Sequence, residues 1–254
     1  MNHSPASAYL NLFAPSYEQS AASLAYHERF REKNDRMLWL SRLRRPRNPS
    51  WLDKLPPPLK ANGVLHVGAH YGLELEAYLA HGCRRVTFFE ASPLVLDLLR
   101  AHVDFWRDWL QTLGISERLT VDVVECAVSD RQGEVTMHLA ELEMLSSLHS
   151  PLADWIKIQD KTTVKCDTLN TLVTAPREFN VLNLDVQGHE LAVLRGASQI
   201  LPGLQAVLVE LNSVPRYQME ADPGEVDRLL VDAGFTCIDQ TRFGDVADCL
   251  YVRR

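Results

Sequence analysis

The sequence predicts an α/β domain: a mostly parallel sheet with helices on both faces, closed by a C-terminal antiparallel hairpin. Three observations predict it. From residue 62 onward, short apolar runs alternate with helical patterns, which sets successive strands side by side and parallel. The first apolar run ends on Gly68, where the backbone can turn without a side chain in the way. The last two runs are joined through a short Gly-Asp turn with no helix between them, so they pair antiparallel.

Each element follows in order. Val64-Leu65-His66-Val67 is the first strand, and Leu73 to Leu79 the helix after it. Val86 to Phe89 is the second strand, followed by a helix from Pro93, a residue suited to a first helical turn, to about Leu113. Leu119 to Val128 reads as a third strand, Gly133 to Leu139 as an extra strand, and Cys166 to Val173 as a short helix. Val181 to Leu184 is the fourth core strand and Leu191 to Leu201 a helix. Ala206 to Leu211 is the fifth strand, and the helix from Glu225 to Ala233 stops at Gly234. Phe235 to Thr241 and Cys249 to Arg253 form the hairpin.

Residues 61–254 hold this domain, and residues 1–60 read as an N-terminal extension. Its first 17 residues carry no Asp, Glu, Lys or Arg and form an irregular arm. A helix is expected from Glu18 to about Leu43, with Leu24, Phe30, Met37 and Leu40 at helical intervals. Pro46, Pro49 and Pro56-Pro57-Pro58 then make a stiff connector. Arg42, Arg44, Arg45 and Arg47 suit a helix C-terminus; the alternative is a contact for an anionic acceptor.

With 254 residues, 46% hydrophobic and 23% charged, the composition excludes wholesale disorder, a collagen-like fibre and a disulfide scaffold. A formal net charge of −7 argues against nucleic acid as the partner. The five cysteines at 83, 126, 166, 237 and 249 form no close-spaced metal pattern and suit free thiols in a reducing cytosol. No apolar stretch is long enough for a membrane span, and the N-terminus lacks a signal-peptide layout. A cytoplasmic protein without membrane insertion is therefore expected.

Chemistry concentrates at the ends of three strands. The first runs into Gly68-Ala69-His70-Tyr71-Gly72-Leu73-Glu74. Gly68 permits close approach of a ligand to the backbone, and Gly72 opens a helix whose N–H groups can meet an anion. Glu90 ends the second strand about twenty residues on, where an acid accepts hydrogen bonds from both hydroxyls of an adenosine ribose. A dinucleotide fingerprint counted from Gly68 would need glycines at positions held by His70 and Leu73. A cofactor without phosphate needs no such clamp, which favours S-adenosylmethionine. The fourth strand ends in Asp185-Val186-Gln187-Gly188-His189-Glu190, a polar cluster expected to face the same crevice. As an alternative, Asp185 and Glu190 serve only as helix caps.

These segments together resemble the FkbM family of S-adenosylmethionine-dependent methyltransferases. The matching pieces are Val67 to Gly72, Phe89-Glu90-Ala91-Ser92-Pro93, Ala127 to Gly133, Val164 to Leu169, Leu184 to Glu190 and Val207 to Glu210. The run from Asp185 through Leu191, Val193 and Leu194 to Gly196 is the most specific. The resemblance implies a Rossmann-like class I methyltransferase fold with a seven-stranded, mostly parallel sheet. It implies O-methylation of a hydroxyl on a sugar, glycan or secondary metabolite. By position, Gly68, Ala69, His70 and Gly72 would line the methionine portion of the cofactor, with Glu74 beside them. Glu90 would hold the ribose with Ala91 and Ser92 near it, Ala127 and Val128 would flank the adenine, and Asp185 would sit near the sulfonium. His66 stands where an acid is common, Gln187 where many members have Glu, and Asn183 where many have Lys.

A neutral hydroxyl needs a base as its new bond forms. His189 is the first candidate, since imidazole titrates near neutrality, and Asp185 the second. Three competing readings remain. His66, His70 and His189 could join Asp185 around a divalent ion; the enzyme could be an NAD-dependent oxidoreductase; or the fold could be a non-catalytic binding module. Residues 140–162, with Ser146, Ser147, His149 and Trp155, and Asn212 to Tyr217 are either a lid and acceptor wall or connecting loop.

Overall fold

The computed structural model describes residues 51–112 and 119–254. The expected helix over 18–43 and the arginine cluster lie outside them.

Along the chain come β1 (Gly63–Val67), α1 (Leu75–Ala80), β2 (Arg85–Glu90), α2 (Leu96–Thr112), β3 (Thr120–Glu125), β4 (Ala127–Val128) and β5 (Gly133–Ala140). There follow β6 (Ile158–Asp167), α3 (Leu169–Leu172), β7 (Val181–Leu184), α4 (Glu190–Gly196), β8 (Ala206–Asn212), α5 (Pro223–Asp232), β9 (Phe235–Phe243) and β10 (Val246–Arg253). Seven strands form one sheet in the order β3-β2-β1-β7-β8-β10-β9. The first five are parallel, and β10 pairs antiparallel with both β8 and β9.

Sidedness follows from residue alternation. In β1, Val64 packs on one face with Val86, Phe88, Leu99 and Val103, whereas Leu65 and Val67 pack on the other with Leu182, Leu184, Leu194 and Leu230. A strand covered on both faces reads as an unbroken apolar run. α2 puts Leu99, Val103, Trp106 and Leu110 on the first core at intervals of one helical turn. α5 is held at its start by a capping box between Asp222 and Glu225. Leu52 and Leu55, from the segment expected to be an extension, enter the first core, and Lys54 pairs with Asp239 at 2.6 Å.

Several local expectations need correction. α2 begins at Leu96 rather than Pro93, because residues 93–95 form turns. The third strand breaks at Cys126, whose N–H turns back to the Glu90 carbonyl at 3.1 Å. Ala127–Val128 then pairs with β6 in a second, three-stranded sheet of order β4-β6-β5. Cys166 belongs to β6, and the helix after it is the single turn of α3, capped by the Thr168 side chain. α4 ends at Gly196, whose added Cβ would stand 1.9 Å from the Ser129 carbonyl oxygen. Among the described residues no helix is long and apolar enough to cross a membrane, and all five cysteines are unbridged.

The strand order changes direction between β1 and β7, so the loops leaving their C-terminal ends diverge. In open α/β sheets a ligand crevice opens at that point.

Candidate active site

The loops after β1 and β7 touch at their bases. An added Cβ on Gly68 (φ 78) would stand 1.7 Å from the Asp185 carbonyl oxygen, so only glycine fits here. Asp185 N–H donates to the Val67 carbonyl at 3.1 Å, and the Gly68 and Ala69 N–H groups both donate to the Phe89 carbonyl. Two non-glycine residues, His70 (φ 50) and Gln187 (φ 53), take left-handed backbone, one in each loop. Strain of this kind concentrates at ligand sites.

Between the loops lies a cavity of about 410 Å³, within the range of small-molecule sites. Of the expected cofactor residues, Gly68, Ala69, His70, Glu74, Glu90, Ala91, Ser92, Ala127, Val128 and Asp185 all line it. Gly72 is not among its lining residues. It sits behind, where an added Cβ would be 2.7 Å from a Leu99 methyl.

Glu90 is fixed by backbone N–H groups. Its Oε1 accepts from the Ala91 and Ser92 N–H groups at 2.8 Å each, and its Oε2 from the His70 N–H at 2.7 Å. Burial pushes its carboxyl up from the usual range, and the three N–H groups oppose that. A carboxylate has about four acceptor positions. Three are filled by backbone, which leaves capacity on Oε2 for a ligand hydroxyl. Ser92 Oγ is buried without a hydrogen-bond partner, as is His70 Nε2. An acceptor fixed by backbone, an unpaired hydroxyl beside it and a turn with no room for a side chain fit an adenosyl group. The apolar wall of Phe89, Val95, Ala127 and Val128 fits its base.

At the other end Gln187 Nε2 donates to Asp185 Oδ1 at 2.7 Å and to Glu210 Oε1 at 3.1 Å. Burial, then the Glu210 charge, raises Asp185 well above the carboxylate range, and burial with the Asp248 charge raises Glu210 to about 7. His66 is buried, bonded to the Tyr78 hydroxyl at 3.1 Å, and burial lowers its pKa.

His189 does not join this group. It is not among the cavity's lining residues, because Gly188 (φ 95) turns the chain before it. Its Nε2 meets Ser129 Oγ at 2.8 Å and its Nδ1 meets His149 Nε2 at 2.9 Å. Burial and the neighbouring His149 pull its pKa down to about 4. The expectation that Asp185 and His189 share one crevice is thus corrected. Glu190 is also engaged: its Oε1 accepts from the Val186 and Gly188 N–H groups. Among the described residues no three His, Cys, Asp or Glu side chains gather to hold a metal ion, so His66, His70, His189 and Asp185 do not form the alternative ligand set.

Among the polar side chains lining the cavity, Glu143, Gln187, Glu210 and Arg216 had no individual role expected from sequence, although Glu143 and Arg216 belong to the segments considered for a lid. Glu210 was legible in principle, as the one acid within the apolar run of β8. Glu143 follows β5, accepts from the Tyr71 hydroxyl at 2.6 Å, and carried no local signal. Of the segments considered for a lid, residues 143–148 and Arg216 border the cavity. Trp155 stands outside its lining, beneath the Arg216 guanidinium at 5.4 Å.

Comparison with solved structures finds matching folds. A methyltransferase FkbM from Methylobacillus flagellatus KT aligns at a TM-score of 0.52 and 12% identity, over 76% of this chain and 43% of that one. This chain therefore spans under half the length of that protein. The magnesium protoporphyrin IX methyltransferase of Synechocystis PCC 6803, solved with S-adenosylmethionine, aligns at a TM-score of 0.44 and 14% identity, over 80% and 75% of the two chains. No curated protein matches the sequence. The family model described as "Methyltransferase FkbM domain" matches residues 66–237, a span that starts inside β1, takes in both cavity loops and runs to β9. The chain belongs to that family of S-adenosylmethionine-dependent methyltransferases.

Proposed function

We propose that this protein transfers a methyl group from S-adenosylmethionine to a hydroxyl oxygen of a sugar, glycan or other small natural product. The observation that carries the reading is the convergence of the Gly68 turn and the backbone-fixed Glu90 carboxylate on one cavity. The bound cofactor supplies a methyl on a sulfonium, a leaving group that departs as a neutral thioether.

The residues divide the work. Glu90 Oε2 accepts from the ribose hydroxyls, with Ala91 and Ser92 beside it. Gly68, Ala69 and His70 give the methionine portion room against the backbone. Glu74 and Glu143, both lining the cavity, replace at its ammonium the acid that His66 does not provide. Ala127 and Val128 cover the adenine. Asp185 orients the acceptor hydroxyl and, as the carboxylate, takes its proton; burial and the Glu210 charge raise its pKa and so strengthen it as a base. His189 holds the β4 and β5–β6 connections to the β7 loop. Met144 and Phe243 border the cavity yet are 54% and 62% exposed, which gives an acceptor an apolar rim.

The test is calorimetric titration of the full chain with S-adenosylmethionine, S-adenosylhomocysteine and NAD, then transfer of a tritiated methyl group to a panel of polyols and phenols. Binding of the first two with an alkali-stable methyl ether as product supports the proposal. Binding of NAD alone overturns it.

A further inference from the structure

Gln187 joins Asp185 and Glu210 in a way that proton removal by one carboxyl does not require. Both protons of one amide are engaged by two carboxyls, one just past the end of β7 and one on β8. The amide is itself fixed, because its Oε1 accepts from the Tyr217 hydroxyl at 3.0 Å and its backbone carbonyl from Ser147 Oγ at 2.7 Å. All three side chains belong to residues lining the cavity. An amide can donate to both carboxyls but neutralises neither, so it gathers negative charge at one wall of the site.

We infer that Asp185 and Glu210, clamped by Gln187, act as one acid unit by which the cavity distinguishes the sulfonium donor from its neutral demethylated product. The inference rests on the methyl-transfer reading above. Donor and product share their adenosine and amino-acid ends and differ by one methyl and one positive charge. Once deprotonated, the unit therefore favours the donor alone.

The charges around the unit set how it titrates. Asp185 faces Glu210 on β8, Asp248 on β10, Glu74 from the loop after β1, and the Tyr217 hydroxyl. Glu210 faces Asp248, Glu190 at the start of α4, and the Arg216 cation. Burial and like charge together raise both carboxyls, Glu210 to about 7. As pH rises through neutrality the unit loses a proton and becomes more negative. A cationic ligand pulls that titration downward and expels the proton, whereas a neutral ligand does not.

The same unit accounts for product release. As the new C–O bond forms and the C–S electron pair stays on sulfur, the hydroxyl proton passes to a carboxylate oxygen of the unit. The wall loses one negative charge as its ligand loses one positive charge, so the attraction ends with the reaction.

The test is calorimetry of the full chain with S-adenosylmethionine and S-adenosylhomocysteine, in buffers of different ionisation heat. The preference for the donor should grow about tenfold from about pH 5.5 to about 8.5, with proton release only on donor binding. Glu210→Gln should flatten that preference to within about twofold, and Asp185→Asn should do so from the other side; circular dichroism melts confirm that each variant folds. A wild-type preference independent of pH overturns the inference, as does a pH dependence that survives in both variants. Absence of heat with either ligand fails the methyl-transfer reading instead.

Discussion

Replacing Gly68 with alanine tests whether the close approach of the β1 and β7 loops builds the site. The new Cβ would stand 1.7 Å from the Asp185 carbonyl oxygen and 2.7 Å from its carbon, at a φ of 78. A carbon and a carbonyl oxygen normally stay about 3.3 Å apart, so the loops must part by roughly 1.5 Å. Left-handed backbone costs about 1–2 kcal/mol and overpacking about 1–3, which together make about 2–5 kcal/mol. For a domain of this size that lowers Tm by about 5–15 °C. Because the loop carries the His70 N–H that fixes Glu90, affinity for S-adenosylhomocysteine should fall at least about tenfold. Gly82→Ala is the control: its φ is 77, but nothing lies within 4 Å of the new Cβ and it is not a cavity residue. It should cost only about 1–2 kcal/mol and leave affinity unchanged. Thermal melts and calorimetry on both variants decide the matter. If Gly68→Ala matches Gly82→Ala in both, the reasoning is wrong.

Three other substitutions probe separate parts of the account. Glu90→Gln puts an amide that can offer only one acceptor oxygen against three N–H groups, so it should lose about 1–3 kcal/mol and weaken S-adenosylhomocysteine at least about tenfold; calorimetry showing wild-type affinity would refute the ribose assignment. Glu190→Gln keeps both loop N–H bonds, since both go to Oε1, while removing a carboxyl raised from 4.5 to about 7 by burial. A raised acid contributes stability below its unfolded pKa that is lost as pH rises through its folded pKa. The variant should therefore match wild type near about pH 4, lose part of the decline in stability between about 4.5 and 7, and be more stable at about pH 8 by about 1–3 kcal/mol in denaturant melts. His189→Ala should cost about 1–2 kcal/mol through lost bonds to Ser129 and His149, yet hold S-adenosylhomocysteine within about twofold of wild type; a larger affinity loss would return His189 to the site.

The central strands were legible because β1, β2, β7 and β8 are covered on both faces, and Val64–Val67 and Val181–Leu184 each hold a single polar residue, His66 or Asn183, too few to set up an alternation. β6 was not, because Lys161, Thr163 and Lys165 face solvent and too few apolar residues mark the strand. The break at Cys126 was equally invisible, since it depends on a hydrogen bond to the Glu90 carbonyl from a distant segment. At the site, Gly68, Glu90 and Asp185 declare themselves by standing at strand ends. Glu143 and Arg216 reach the cavity from connections whose course the sequence does not dictate. His189 was misplaced for the converse reason: four positions from Asp185 suggests proximity, but the Gly188 turn intervenes.

The most direct measurement is a crystal structure of the protein with S-adenosylhomocysteine. The ligand's ribose hydroxyls should lie within hydrogen-bond distance of Glu90 Oε2 and its sulfur on the Asp185 side of the cavity. Ligand density away from Glu90, or a ribose held by another acid while Glu90 keeps only its three backbone partners, would contradict it.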